Sequence, residues 1–357
     1  MKRATGAATA LEARLPAAPM APCRPAREAV RKSARRAALS AAIALASSLL
    51  ATPCRANSLE VCDKPSEPTA DQKDVMLRFG AIVRGELGGS GGAIALISRS
   101  GLDLHRIHVR YSHEGVALAG DGGTWAVREL YYSCDDRRPR LFDEGLAGFI
   151  LGTDDPENGW ISLVFLPPAD ADRLRRAAAD KRQALSVLGS TYSANAYPFS
   201  TQFQNCNQWV MELLASAWVA PGDRFDDDRR GRPPSFTAEA AIAAGEHPER
   251  DRAQRWLYSQ GYRPTQFTVS ARPLMWLARA VPWMSNADHP DDDLAQDRYT
   301  VSMPASIETF VQAKVAGATR IEACHAGRRV VVHRGWDDIA DGCVPGPGDQ
   351  VMELSAE

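Results

Sequence analysis

Residues 107–132 constrain this chain most. Two stretches, 107–118 and 124–132, alternate apolar and polar residues with a period of two, and Gly120-Asp121-Gly122-Gly123 lies between them. That pattern predicts an antiparallel β-hairpin. On the first strand Ile107, Val109, Tyr111, His113, Gly115 and Ala117 share one side. His108, Arg110, Ser112 and Glu114 point the other way and form a polar set. On the second strand Trp125, Val127, Glu129 and Tyr131 share a side, with Glu129 its one charged residue. With the loop taken as 119–123, Leu118 pairs with Thr124 and His113 falls directly opposite Glu129. On an inward apolar side each of these groups reduces the cost of burying the other. The plainer reading is a structural His–Glu pair.

A second segment carries a thiol. Cys206, Trp209, Val210, Leu213, Leu214 and Ala217 recur at helical spacing, so residues 205–218 predict an amphipathic helix with Asn205 as its N-cap. Cys206 then sits in the first turn. Free N–H groups and positive potential at a helix start favour a thiolate. The plainer reading is a small core residue.

The rest of the chain mixes helices and strands. Helices are expected at 69–87, 170–188, 249–260, 273–280 and 306–315, and strands at 93–98, 160–166 and 265–270. A hairpin is expected at 319–325 and 328–335, around Ala326-Gly327. The glycine run 88–92 lacks the Lys-Ser/Thr ending of a phosphate loop and reads as a turn. Strict βα alternation is absent, so the class is α+β. Three parts are expected: a leader at 1–56, a main domain at 57–285, and a C-terminal helix-plus-hairpin extension at 300–345.

Charge separates the leader from the body. The 357 residues have a formal net charge of −2. Residues 1–56 hold ten Lys/Arg against two Asp/Glu, or +8. The remainder holds 32 basic against 42 acidic side chains, or −10. Within the leader, Arg31, Lys32, Arg35 and Arg36 precede an uncharged Ala/Leu/Ser run at 37–51 and then Thr52-Pro53-Cys54-Arg55-Ala56. This reads as a secretory signal cut after Ala56, giving a periplasmic or secreted protein with no stable membrane span. An acidic body has no footprint for nucleic acid.

An oxidising compartment favours disulfides, and the five cysteines after residue 56 are an odd number. Cys324 and Cys343 flank a hairpin and are natural partners; a pairing of Cys62 with Cys134 would then leave Cys206 free, although sequence alone does not fix the connectivity. No cysteine spacing matches a zinc site, and His289 beside Asp291-Asp292-Asp293 reads as a solvated loop. No metal and no cofactor are expected.

A strand His followed in sequence by an Asn-Cys that opens a helix resembles circularly permuted papain-like proteins. These include the lecithin–retinol acyltransferase-like and permuted NlpC-type enzymes. Arg110-Tyr111-Ser112-His113, Leu130-Tyr131-Tyr132-Ser133-Cys134, Asn195-Ala196-Tyr197-Pro198 and Asn205-Cys206-Asn207-Gln208-Trp209 more closely resemble landmarks of the bacterial Domain of Unknown Function family 2145, over residues 58–285. The papain-like resemblance implies an antiparallel sheet with the nucleophile helix packed on it. Its acyltransferase-like members often carry a third histidine where this chain offers Glu129.

The expected chemistry is that of an exported thiol-dependent hydrolase or acyl/amide transferase. Cys206 is the nucleophile, His113 the base and then acid, and Glu129 the orienter. Gln204, Gln202 and Asn207 are candidates to join the Cys206 N–H in an oxyanion hole. The substrate would be a small or peptide-like component of the cell envelope. The alternative is a non-catalytic periplasmic binding or structural protein on the same scaffold.

Overall fold

The computed structural model describes residues 68–102, 104, 109–134, 136–219, 247–269, 281 and 283–355. The leader, Cys62, His108 and the helix expected at 273–280 lie outside these residues. The chain from Leu59 onward forms one unit.

Helix α1 (Ala70–Gly89) starts at a capping box in which Thr69 and Gln72 exchange side-chain bonds with each other's backbone. The strands that follow are β1 (Ile94–Arg99), β2 (His113–Ala119), β3 (Trp125–Ser133) and β4 (Arg138–Gly145). Next come α2 (Leu146–Leu151) and β5 (Asn158–Phe165). The helix expected at 170–188 is broken into α3 (Pro168–Ala179) and α4 (Lys181–Ser186). Asp180, between them, is extended and caps α4. The Cys206 helix is α5 (Cys206–Trp218), followed by α6 (Pro248–Ser259). Strands β6 (Thr265–Thr268) and β7 (Arg298–Val301) form a small separate ladder, with α7 (Asp291–Ala295) between them in sequence. The chain continues with α8 (Pro304–Lys314), β8 (Thr319–Ala326), β9 (Arg329–Arg334) and β10 (Gln350–Glu353).

The main sheet has eight strands in the order β10-β9-β8-β5-β1-β2-β3-β4, and every neighbouring pair is antiparallel. The architecture is α+β. The C-terminal hairpin differs from the expected extension: β8 pairs along its whole length with β5 and so continues the central sheet. Among the described residues no helix is long and apolar enough to cross a membrane.

Both faces of the sheet are covered. Ile94, Leu96, Val116, Leu130 and Val164 share a core with the apolar face of α5. Ala95, Ile97, Ala117, Val127 and Leu163 share another with α1 and α2. This corrects the reading of the even side of β2 as a polar set, since Glu114 there is fully buried. The hairpin register is also corrected. Gly120 bonds to Thr124, and Ala119 pairs with Trp125, so the turn is the short helical loop Asp121–Gly123. Gly122 and Gly123 take positive φ there, which is why the loop is rich in glycine. Continued along the strands, this register sets His113 opposite Tyr131 and Gly115 opposite Glu129. The offset is two residues, so every side chain keeps its face.

A disulfide joins Cys324 to Cys343, with 5.8 Å between their Cα atoms. Cys134 is also disulfide-bonded, and its expected partner Cys62 lies outside the described residues.

Candidate functional site

Helix α5 is held rigidly at its start. The Asn205 side chain accepts from the Gln208 N–H at 2.7 Å and caps the helix. The loop before it is tied by a buried ion pair. Arg250 Nε donates to Glu212 Oε2 at 2.7 Å, and Arg250 Nη1 and Nη2 donate to the carbonyls of Thr201 and Phe203. Gln204, Gln208 and Gln254 also donate to Glu212. An ion pair this deeply buried is tolerable because its lone pairs and protons are met.

Cys206 is buried and is the free cysteine among the described residues. Its Sγ donates to Asn207 Oδ1 at 3.5 Å. Tyr192 neighbours the thiol, and burial, then the neighbouring Cys206, push the Tyr192 phenol well up. Asn207 Nδ2 donates to the carbonyls of Ser112 at 3.3 Å and Ser302 at 3.1 Å. The first turn of α5 is thereby fastened to the residue that precedes His113.

His113 and Glu129 meet on the other face, the one shared with α2. His113 Nε2 lies 2.5 Å from Glu129 Oε2, and the carboxylate is fully buried. Gly115 lets β2 pack closely beside this contact. A Cβ there would lie 2.6 Å from Val127 Cγ1 and 3.2 Å from Glu129 Cβ. The imidazole packs on Tyr131, with ring centroids 4.8 Å apart. Arg99, paired in register with His113, bonds to the Tyr131 hydroxyl and the Gly152 carbonyl.

Two carboxyls share this pocket. Burial pushes the Glu129 carboxyl up, with a hydrogen bond from Glu144 and the charge of Arg99 opposing. Burial and then Glu129 itself push Glu144 up to about 8. Glu129 Oε1 meets no N–H or hydroxyl donor. Glu144 lies beside it, and with its carboxyl raised to about 8 it is protonated near neutral pH.

The structure therefore brings His113 and Glu129 together and sets Cys206 on a helix against the opposite face. The two sets approach each other at the end of the sheet, where Asn207 grips Ser112. There burial pushes the Tyr131 phenol up to about 12 against the charge of Arg99, with Glu129, Glu144 and the neighbouring Cys206 adding to it. Among the described residues no hydrogen bond joins Cys206 to His113, and His113 Nδ1 takes no protein partner.

Of the oxyanion candidates, Gln204 is fully buried. It donates to the Val187 carbonyl and Glu212 and accepts from the Gly189 N–H. Asn207 spends its N–H groups on Ser112 and Ser302. Gln202 is half-buried, and its backbone N–H donates to Ser200 Oγ. His289 is buried, with Nε2 2.7 Å from the Asn195 carbonyl, and Asp293 ion-pairs with Arg298. Arg99, Glu144 and Tyr192 are site neighbours that the sequence does not point to. Of these, Glu144 shares a side with Glu129 and Tyr131, which alternation makes visible once β4 is placed. Tyr192 lies in an irregular segment with no periodic signal.

No curated protein and no solved structure matches the chain. The profile of a family described as an uncharacterized protein conserved in bacteria (DUF2145) matches residues 86–311. This span takes in β1 to β7, α5 and most of α8, and includes His113, Glu129 and Cys206. The chain belongs to this uncharacterized bacterial family, DUF2145.

Proposed function

We propose that the protein is a thiol-dependent hydrolase or acyl/amide transferase, with Cys206 as nucleophile, His113 as base and then acid, and Glu129 as orienter. The observation that carries this reading is the buried 2.5 Å contact of His113 Nε2 with Glu129. It leaves Nδ1 as the imidazole nitrogen for the thiol, at the end of the sheet where Asn207 ties the Cys206 helix to Ser112. The order of parts is that of a permuted papain-like scaffold: a His strand, an adjacent orienter strand, then a helix opened by Cys.

The thiol first turns from Asn207 Oδ1 toward His113; such contacts commonly tighten only once substrate is bound. The S–H proton passes to Nδ1 while sulfur bonds to the substrate acyl carbon and the carbonyl electron pair moves to oxygen. The Cys206 N–H, free at the helix start, faces that oxyanion. Collapse breaks the C–N or C–O bond, and the leaving group takes the proton from His113. Water, or an acceptor amine or alcohol, then attacks the thioester and gives its proton to His113. The departing sulfur recovers that proton. Glu129 holds the ring and offsets its charge.

An export leader and the Cys324–Cys343 disulfide support a periplasmic or secreted location, and with it a peptide-like envelope substrate. One observation favours the non-catalytic alternative: the resting thiol bonds to Asn207, not to His113. Intact-mass analysis after incubation with an activated ester separates the two. The enzyme reading expects a hydroxylamine-labile acyl adduct that is lost in Cys206→Ala and slowed in His113→Ala. An adduct that is absent, or that survives Cys206→Ala, contradicts it.

A further inference from the structure

A groove of about 970 Å³ lies beside β4, within the size range of ligand sites, roughly 300–1,000 Å³. Its floor is apolar, with Leu141, Ala184, Leu185 and Leu188. Five basic side chains and two carboxylates line it. Both carboxylates are already met: Asp143 by Arg128 at 2.6 Å and Asp136 by Arg140. That leaves Arg137, Arg138 and Lys181. All three are exposed, and none of their side chains has an ion pair or hydrogen bond among the described residues. An uncompensated cationic rim stands out on a body that carries −10 overall.

Two further facts define the occupant. Among the described residues, strand β4 ends the eight-stranded sheet and pairs with β3 alone, so its outer backbone edge has no strand partner there. The groove also lies near the neighbours of the thiol. Thr191 in its lining precedes Tyr192, Pro139 in its wall pairs with Tyr132, the Tyr132 ring packs 5.3 Å from Tyr192, and Tyr192 neighbours Cys206. An open edge recognises an extended chain through its backbone, and rim charge selects among such chains. The arginines repel a second copy of this edge and attract an acidic one.

We propose that this groove binds an extended acidic peptide, paired along the β4 edge with its carboxylates on Arg137, Arg138 and Lys181. This names the substrate class of the Cys206 site and rests on that reading only for what happens after binding. The apolar floor holds alternate side chains of the peptide, and its inner end points toward Tyr192 and the thiol.

Fluorescence anisotropy tests this on the purified protein with labelled eight-residue peptides of alternating Val with Glu, Gln or Lys. The Glu peptide should bind, with affinity falling as salt rises. Arg138→Glu combined with Lys181→Glu should weaken it about tenfold, and Cys206→Ala should bind it like the unaltered protein. Amide exchange should slow in β4 when it binds. Equal binding of the Gln peptide, salt-independent binding, or displacement by equimolar inorganic phosphate would overturn the proposal. Cys206→Ala keeps the two readings separate: a bound peptide without thioester chemistry counts against the thiol alone. Acyl transfer from a neutral ester without peptide binding counts against the groove alone.

Discussion

Gly115 lets β2 pack closely beside the His113–Glu129 contact, because a Cβ at position 115 would lie 2.6 Å from Val127 Cγ1 and 3.2 Å from Glu129 Cβ. Gly115→Ala should therefore destabilise the fold by about 1–3 kcal/mol through overpacking, read from urea unfolding. It should also slow any Cys206 acylation. Glu144 makes a second residue-scale test. Its carboxyl rises from 4.5 to about 8 on folding, and Asp288, buried with one oxygen unpaired, rises from 3.8 to about 7. A raised carboxyl is protonated in the folded chain and ionised in the unfolded one between these limits. The folded state thus binds more protons, and stability falls as pH rises from about 4 to about 8. Melting temperature should decline across that window, and Glu144→Gln should flatten its upper part. A Glu144→Gln protein that melts with the unaltered pH dependence would contradict a Glu144 carboxyl raised by folding.

At the scale of elements, α5 and the loop before it depend on the pair Arg250–Glu212. Arg250→Met leaves Glu212 buried with no cation, and should cost about 3–5 kcal/mol in urea unfolding. A loss under about 1 kcal/mol would show that the network does not hold the loop. The sequence shows α5 clearly because one periodic face and one capping Asn agree. It shows α1 in the same way, by a periodic face and a capping Thr69, and β5 and the β8–β9 hairpin by apolar runs bounded by turn residues. Strand β4 is hidden: Arg138-Pro139-Arg140 at an edge has neither apolar alternation nor a central strand's hydrogen bonding. Missing β4 also hides Glu144. The exact His113–Glu129 pairing was displaced by two residues because loop length, not composition, sets register. The shared side was legible because period two survives an even offset.

At the scale of the whole molecule, one sheet carries residues from β1 to β10, so the C-terminal strands support the same core as the site. The Cys324–Cys343 bridge fastens β8 to the segment after β9. Replacing both cysteines with serine should lower stability by about 2–4 kcal/mol, measured by thermal unfolding without reductant. Because β8 pairs with β5, which pairs with β1, the loss should appear as one cooperative transition. A separate early transition of the C-terminal strands would contradict a continuous sheet.

The central claim is that His113 and Glu129 act on the Cys206 thiol, and the rate at which that thiol is acylated in the two variants tests it most directly. Acyl transfer from an activated ester to Cys206, followed by intact mass at neutral pH, should fall by about 100-fold or more in His113→Asn. Glu129→Gln should slow it in the same direction, by a smaller factor. Rates unchanged in both variants would contradict the account.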